Sequence, residues 1–129
     1  MKIQKFMLVL STFLLALGVT LGAVGAHALK SVLSEQALAT FDTGVRYLLV
    51  HAATMLSLSF QAHVIQSKIG LRSLTLFLLL NLIGILFFCS GCMMYAITGI
   101  KLFAHLAPIG GISFIAAWLL LSFKFFRKF

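Results

Sequence analysis

Apolar positions in this chain fall into four long runs separated by short polar or basic stretches. The first run lies between Lys5 and His27, the second between Arg46 and Lys68, the third from Arg72 to Lys101, and the fourth between Lys101 and Lys124. A helix needs about 20 mainly apolar residues to cross about 30 Å of hydrocarbon. The runs therefore predict membrane spans at about 6–26, 45–65, 73–97 and 106–124. The expected fold is an all-α membrane protein, a four-transmembrane-helix bundle forming one integral domain over residues 1–129. Between the first two runs, Leu29, Val32, Leu33, Ala37 and Phe41 share one helical face, while Lys30, Ser34, Glu35 and Gln36 lie elsewhere. That pattern predicts a short amphipathic interfacial helix at about 28–41.

Composition supports lipid as the solvent. Of 129 residues, 62% are hydrophobic and 9% charged, with a mean hydropathy of +1.16. A soluble domain is about 25% charged, and one this small could not hide so much apolar surface. The net charge of +8 does not read as nucleic-acid binding, because the lysines and arginines punctuate apolar runs and form no basic stripe. It reads as orientation instead. Lys2, Lys5, Lys68, Arg72, Lys124, Arg127 and Lys128 fall at the N-terminus, the second loop and the C-terminus. Lys30, Arg46 and Lys101, with both acids, Glu35 and Asp42, fall in the other two loops. Both termini are expected in the cytoplasm of a bacterial inner membrane.

The start of the chain allows two readings. Ala26-His27-Ala28 follows a basic start and an apolar run, as at a signal-peptidase site. However, the uncharged run from Phe6 to Ala26 exceeds the 7–15 residues usual for a leader. Gly18, Gly22 and Ala26 also recur at four-residue spacing, a small-residue face for close helix packing. The first span is expected to be retained and to pack through those three residues.

Few residues offer chemistry. Cys89 and Cys92 form a C-x-x-C, but they sit mid-span, where neither a helix N-terminus nor a cation is evident to activate a thiol. They are expected to be small packing residues around Gly91, with no metal site. Thr43, Tyr47, His51, Thr54, Ser57 and Gln61 recur at three- and four-residue steps, predicting a polar stripe that faces the bundle interior. An intramembrane His51 is either a register-fixing hydrogen bonder or a group that handles a proton, ion or ligand. Asn81 is expected to hydrogen-bond between helices. Pro108 is placed in the first turn of the fourth span, with Gly110 and Gly111 as a flat packing surface. Phe125 and Phe126 are expected interface anchors. Nearly all ionisable groups on the outer side, His27, Asp42, Arg46, Tyr47 and His51, cluster at one level. They predict an outward-opening polar pocket with His51 at its floor and Asp42 paired with Arg46.

Three blocks, "GAVGAHAL" (22–29), "DTGVRYLLVHA" (42–52) and "APIGGISFIAAW" (107–118), occur in an order and spacing that resemble the YgdD-type family of small inner-membrane proteins, a domain of unknown function. His27, Thr43, Tyr47, His51, Pro108, Gly110 and Gly111 match the family pattern. The chain departs at Cys89-Ser90-Gly91-Cys92, where the family has Ser-Gly-Ser, and at Ala107, where it has threonine. The resemblance implies four spans and an uncleaved first span, and no known activity or cofactor. The leading reading is a non-enzymatic membrane component, permease-like or accessory, whose partners are the lipid bilayer and a second copy or another membrane protein. The alternative is a small redox or metal-dependent enzyme using His27, His51, Cys89 and Cys92.

Overall fold

The computed structural model describes residues 2–128; Met1, Phe129 and the side chain of Lys2 lie outside the described residues. The described chain is helical, with no strand. Helix α1 spans Lys2–Val24 and ends in a π-helical turn at Gly25–Leu29. Helix α2, Glu35–Phe60, runs back beside it. A short α3, Ala62–Ile69, follows, then α4, Leu71–Gly84, a second π-turn at Ile85–Cys89, and α5, Ser90–Thr98. The last helix, α6, is Lys101–Phe126. Three stretches are long and apolar enough to cross a membrane: Ile3–Leu29, Leu71–Thr98 and Lys101–Phe126. The pair α2 and α3 makes a fourth when its two arms are counted together, with a bend of 85° between them.

The separate interfacial helix expected at about 28–41 does not form. Ser34 is extended (φ −63°, ψ 158°), and its hydroxyl accepts from the Ala37 amide at 3.2 Å, satisfying one of the unpaired N–H groups that every helix start leaves. Glu35 adds an acid to the first turn, where the helix dipole favours it. The cap starts α2 at Glu35, so residues 35–41 become the first turns of a 26-residue helix. Such a helix is about 39 Å long, more than the hydrocarbon thickness. The helix that turns across the bundle is instead α3, after the second span.

Helix α1 is an outer helix packed mainly on α2. Gly18 meets Leu48 and Leu49, Gly22 meets Val45, and Gly25 meets Phe41 and Asp42. Ala26 is exposed and leaves the expected stripe. The reason is helical geometry. Seven residues at about 100° each return to within about 20° of the starting direction, whereas eight overshoot by about 80°. Gly25 therefore continues the face begun by Gly18, and Ala26 does not.

The other side of α2 packs against the π-turn and α5, which in turn pack with α4 against α6. Helix α6 begins at Lys101, so Pro108 lies two turns inside it rather than in a first turn. Proline lacks an N–H, which removes the partner of the Ala104 carbonyl. Ala107 is likewise interior, and no capping hydroxyl is missing there: the amide of Ile100, the residue before α6, is met by the Thr98 hydroxyl at 3.2 Å. Gly91 faces the Phe103 carbonyl and Ala107 of α6. Gly99 closes α5 at φ +69°, a conformation that a side chain would strain, and its amide bonds the Tyr95 carbonyl.

Candidate functional site

His51 sits past the midpoint of α2 and is 4% exposed. Its Nδ1 lies 2.8 Å from the Tyr47 carbonyl oxygen, one turn back. Its Nε2 lies 3.2 Å from the indole Nε1 of Trp118 on α6. A carbonyl can only accept and an indole N–H can only donate. His51 must therefore be the neutral tautomer with its proton on Nδ1, donating to Tyr47 and accepting from Trp118. Both ring nitrogens are used, so neither lone pair nor N–H remains free for a ligand.

Aromatic rings surround this bond. His51 stacks on Phe114 with centroids 3.6 Å apart and planes 18° apart. Tyr47 lies nearly parallel to His51 with centroids 5.8 Å apart, and meets Phe88 at 4.7 Å and Phe114 at 6.1 Å. Trp118 stands edge-on to Phe77 at 5.6 Å. The π-turn at Ile85–Cys89 carries Phe88, and the wide turn brings its backbone and ring against Gly110 and Gly111 of α6. Together Tyr47, His51, Phe88, Gly111, Phe114 and Trp118 line a cavity of about 490 Å³, with Ile115 and Leu119 at its lip. Tyr47 and Trp118 are 45% and 42% exposed, so the cavity opens on the flank of the bundle between α2 and α6.

The profile described as "Protein of unknown function (DUF423)" matches residues 21–111. The chain belongs to that family. It is 30% identical over 118 residues to the UPF0382 membrane protein YwdK of Bacillus subtilis, covering 92% of this chain and 94% of the relative. It is also 30% identical over 118 residues to the UPF0382 inner membrane protein YgdD of Escherichia coli K12, covering 92% and 87%. A UPF0382 membrane protein of Haemophilus influenzae is 31% identical over 110 residues, 85% of each chain. No solved structure matches. The chain is a membrane protein of an uncharacterised family. Within it, His51 of the second sequence block and Trp118 of the third are the two ends of one interhelical bond, while Gly25 of the first block packs on Asp42 of the second.

The five residues expected to share an outer pocket are not brought together. Tyr47 and His51 share the flank cavity. His27 is exposed beyond the end of α1, and among the described residues no hydrogen bond or ring contact joins it to His51. Arg46 is exposed, and no ion pair links it to Asp42, whose carboxylate faces Gly25. The polar cavity at this end of the bundle is a different one, of about 210 Å³, lined by Ser34, Gln36, Thr40 and Tyr95 among others.

The polar stripe of α2 also behaves differently from expectation. Ser57 and Gln61 are exposed and bond each other at 3.2 Å. Thr43 and Thr54 donate to the carbonyls four residues back, at 2.9 Å each. Hydroxyls that bond their own helix need no partner helix, so among the described residues only His51 of the stripe hydrogen-bonds to another helix, while Tyr47 meets Phe88 and Phe114 through its ring. Asn81 likewise donates to its own Phe77 carbonyl at 2.9 Å, while the interhelical bond nearby runs from the Ser113 hydroxyl to the Leu80 carbonyl at 2.8 Å. A further buried pair, Gln4 to Gln66 at 3.1 Å, ties α1 to α3 and went unseen because glutamines near a span's end look like loop residues.

Cys89 and Cys92 are buried free thiols. The Cys89 carbonyl and the Cys92 Cβ lie against Gly44 of α2, 2.8 and 3.2 Å from where a Cβ on Gly44 would be. Their replacement together by alanine should leave the helices assembled. It should cost about 1 kcal/mol or slightly more per site, the scale of a small buried deletion. Thermal unfolding followed by helical content checks this, and loss of the folded state in the double variant would contradict it.

Proposed function

We propose that this protein is a non-enzymatic accessory component of the bacterial inner membrane, with both termini cytoplasmic, that takes an apolar chain from the bilayer into the cavity beside His51. The observation that carries this reading is the cavity itself: about 490 Å³, aromatic-walled, open on the flank of the bundle, and with its one histidine fully hydrogen-bonded. Aromatic walls offer large apolar area at fixed geometry. An acyl or isoprenoid tail matches them, and a polar solute does not. A permease-like role is the weaker reading, because Asp42 and Arg46 do not line the cavity with Tyr47 and His51. A redox or metal role is weaker still: both nitrogens of His51 are committed and the cysteines are packed on Gly44.

Trp118 is the sole tryptophan and reports directly on the site. Titration of the detergent-purified protein with dibromostearic acid should quench its fluorescence saturably, at about one equivalent. A Cβ on Gly111 would meet Phe88 at an ordinary 3.6 Å, so Gly111→Leu is tolerated but extends into the cavity. It should raise the concentration needed by about tenfold, equivalent to ~1.4 kcal/mol. Quenching that never saturates, or that ignores Gly111→Leu, would overturn the reading. For topology, Lys5, Lys68, Arg72 and Lys124 lie toward one end of the helices and Lys30, Arg46 and Lys101 toward the other. A periplasm-active reporter fused at the C-terminus should stay silent; strong activity would reverse the orientation.

A further inference from the structure

The end of the bundle opposite Glu35 and Asp42 carries a further cavity, of about 340 Å³. Lys124 of the last turn of α6 and Arg127 and Lys128 just beyond it line it, with the buried Ile69 at the end of α3. We propose that it binds the phosphate of an anionic phospholipid headgroup.

Charge is the first argument. The chain has two acidic side chains, and both belong to the start of α2, at the far end. No acidic side chain of the chain can neutralise this cavity. Lys124 is half-buried, and a charge partly withdrawn from water is costly without a counter-charge. A phosphate held between these cations supplies that counter-charge. Geometry is the second argument. The 85° bend after α2 turns α3 across the end of the bundle, and Ile69, the last residue of α3, forms one wall of the cavity. Arg127 holds its guanidinium 5.7 Å over the Phe123 ring, which limits its motion and leaves the planar fork suited to phosphate oxygens. Two residues beyond Ile69, α4 begins with no side-chain cap, so its first amides add positive potential at the same end. Arg72 follows, and below it Leu71 and Leu76 are exposed apolar surface for acyl chains.

The recognised group is a phosphate, which a lipid headgroup or free phosphate could supply. Native mass spectrometry of the full-length protein in detergent, with phosphatidylglycerol or phosphatidylcholine added, reads the preference. Phosphatidylglycerol should bind at least about tenfold more tightly, since each nearby cation strengthens anionic-lipid binding severalfold. Lys124→Gln with Arg127→Gln and Lys128→Gln should abolish the preference. Lys30→Gln with Arg46→Gln and Lys101→Gln, an equal charge change at the other end, should keep it. The charge-conserving Lys124→Arg, Arg127→Lys, Lys128→Arg variant should also keep it, which separates loss of the site from misfolding. Equal loss in both neutralised triples would reduce the effect to bulk charge and overturn the proposal. Displacement of phosphatidylglycerol by micromolar inorganic phosphate would assign the cavity to a free anion and overturn the lipid.

Discussion

Gly110→Ala is expected to unseat α6 from the bundle. A Cβ at Gly110 would lie 2.2 Å from the Phe88 amide nitrogen, 2.7 Å from the Phe88 Cβ and 2.9 Å from the Gly84 carbonyl oxygen. Two of those three neighbours are backbone atoms, which cannot rotate away as a side-chain tip can. Overpacking a well-packed core costs about 1–3 kcal/mol and occasionally more. With backbone as the obstacle, the cost should reach or exceed the top of that range. The neighbouring Gly111→Ala is the internal control, because its Cβ would meet only the Phe88 ring at 3.6 Å. Thermal unfolding in the same detergent should show a large loss for the first variant and almost none for the second. Equal losses would mean that helix propensity, not the close approach of α6 to the π-turn, sets the effect.

The second large effect is expected at His51. His51→Ala deletes a buried ring that stacks on Phe114, leaving a hole beside an existing cavity. A loss of about 3 kcal/mol follows by analogy with other buried aromatic truncations. His51→Phe keeps the stacking and removes only the two hydrogen bonds, so it should cost less, about 1–2 kcal/mol. The Trp118 link can then be isolated. Trp118→Phe and His51→Phe, singly and together, should be non-additive by about 0.6 kcal/mol, the average for interhelical bonds in membranes, and by no more than about 1.7 kcal/mol, their maximum. Additive costs would remove the His51–Trp118 bond as a contributor. Trp118 emission should also change in His51→Phe, because its indole N–H loses the Nε2 acceptor.

Much of the architecture is legible in the chain. Four apolar runs correspond to the helices, because hydropathy and length are local quantities and lipid imposes them directly. The start of α2 is also written locally, in the N-cap Ser34 and the first-turn acid Glu35, a signal that apolar periodicity over residues 28–41 does not register. On α1 a step of four from Gly22 points to Ala26, whereas the packed face takes a step of three to Gly25. The π-turn at Ile85–Cys89 has no visible signal, since a one-residue widening rotates the following residues by about 100° but the run is apolar on every side.

The site was only half legible. His51 and Tyr47 stood out because polar side chains in an apolar run are conspicuous, but the same rule overstated Thr43, Thr54 and Asn81. Those groups donate to carbonyls four residues back, a solution the sequence permits without revealing whether it is used, and the buried Asn81 Oδ1 has no partner among the described residues. By itself the sequence determined that this is a helical membrane protein, with its acids at one end and most of its cations at the other, because composition, length and charge act without knowledge of neighbours. Only the tertiary structure decided that His51 meets Trp118, 67 positions away, and that Phe88 and Phe114 close the wall between them. That pairing depends on which faces of α2 and α6 meet, and the close backbone approaches at Gly44, Gly91 and Gly110 set those faces by admitting nothing larger.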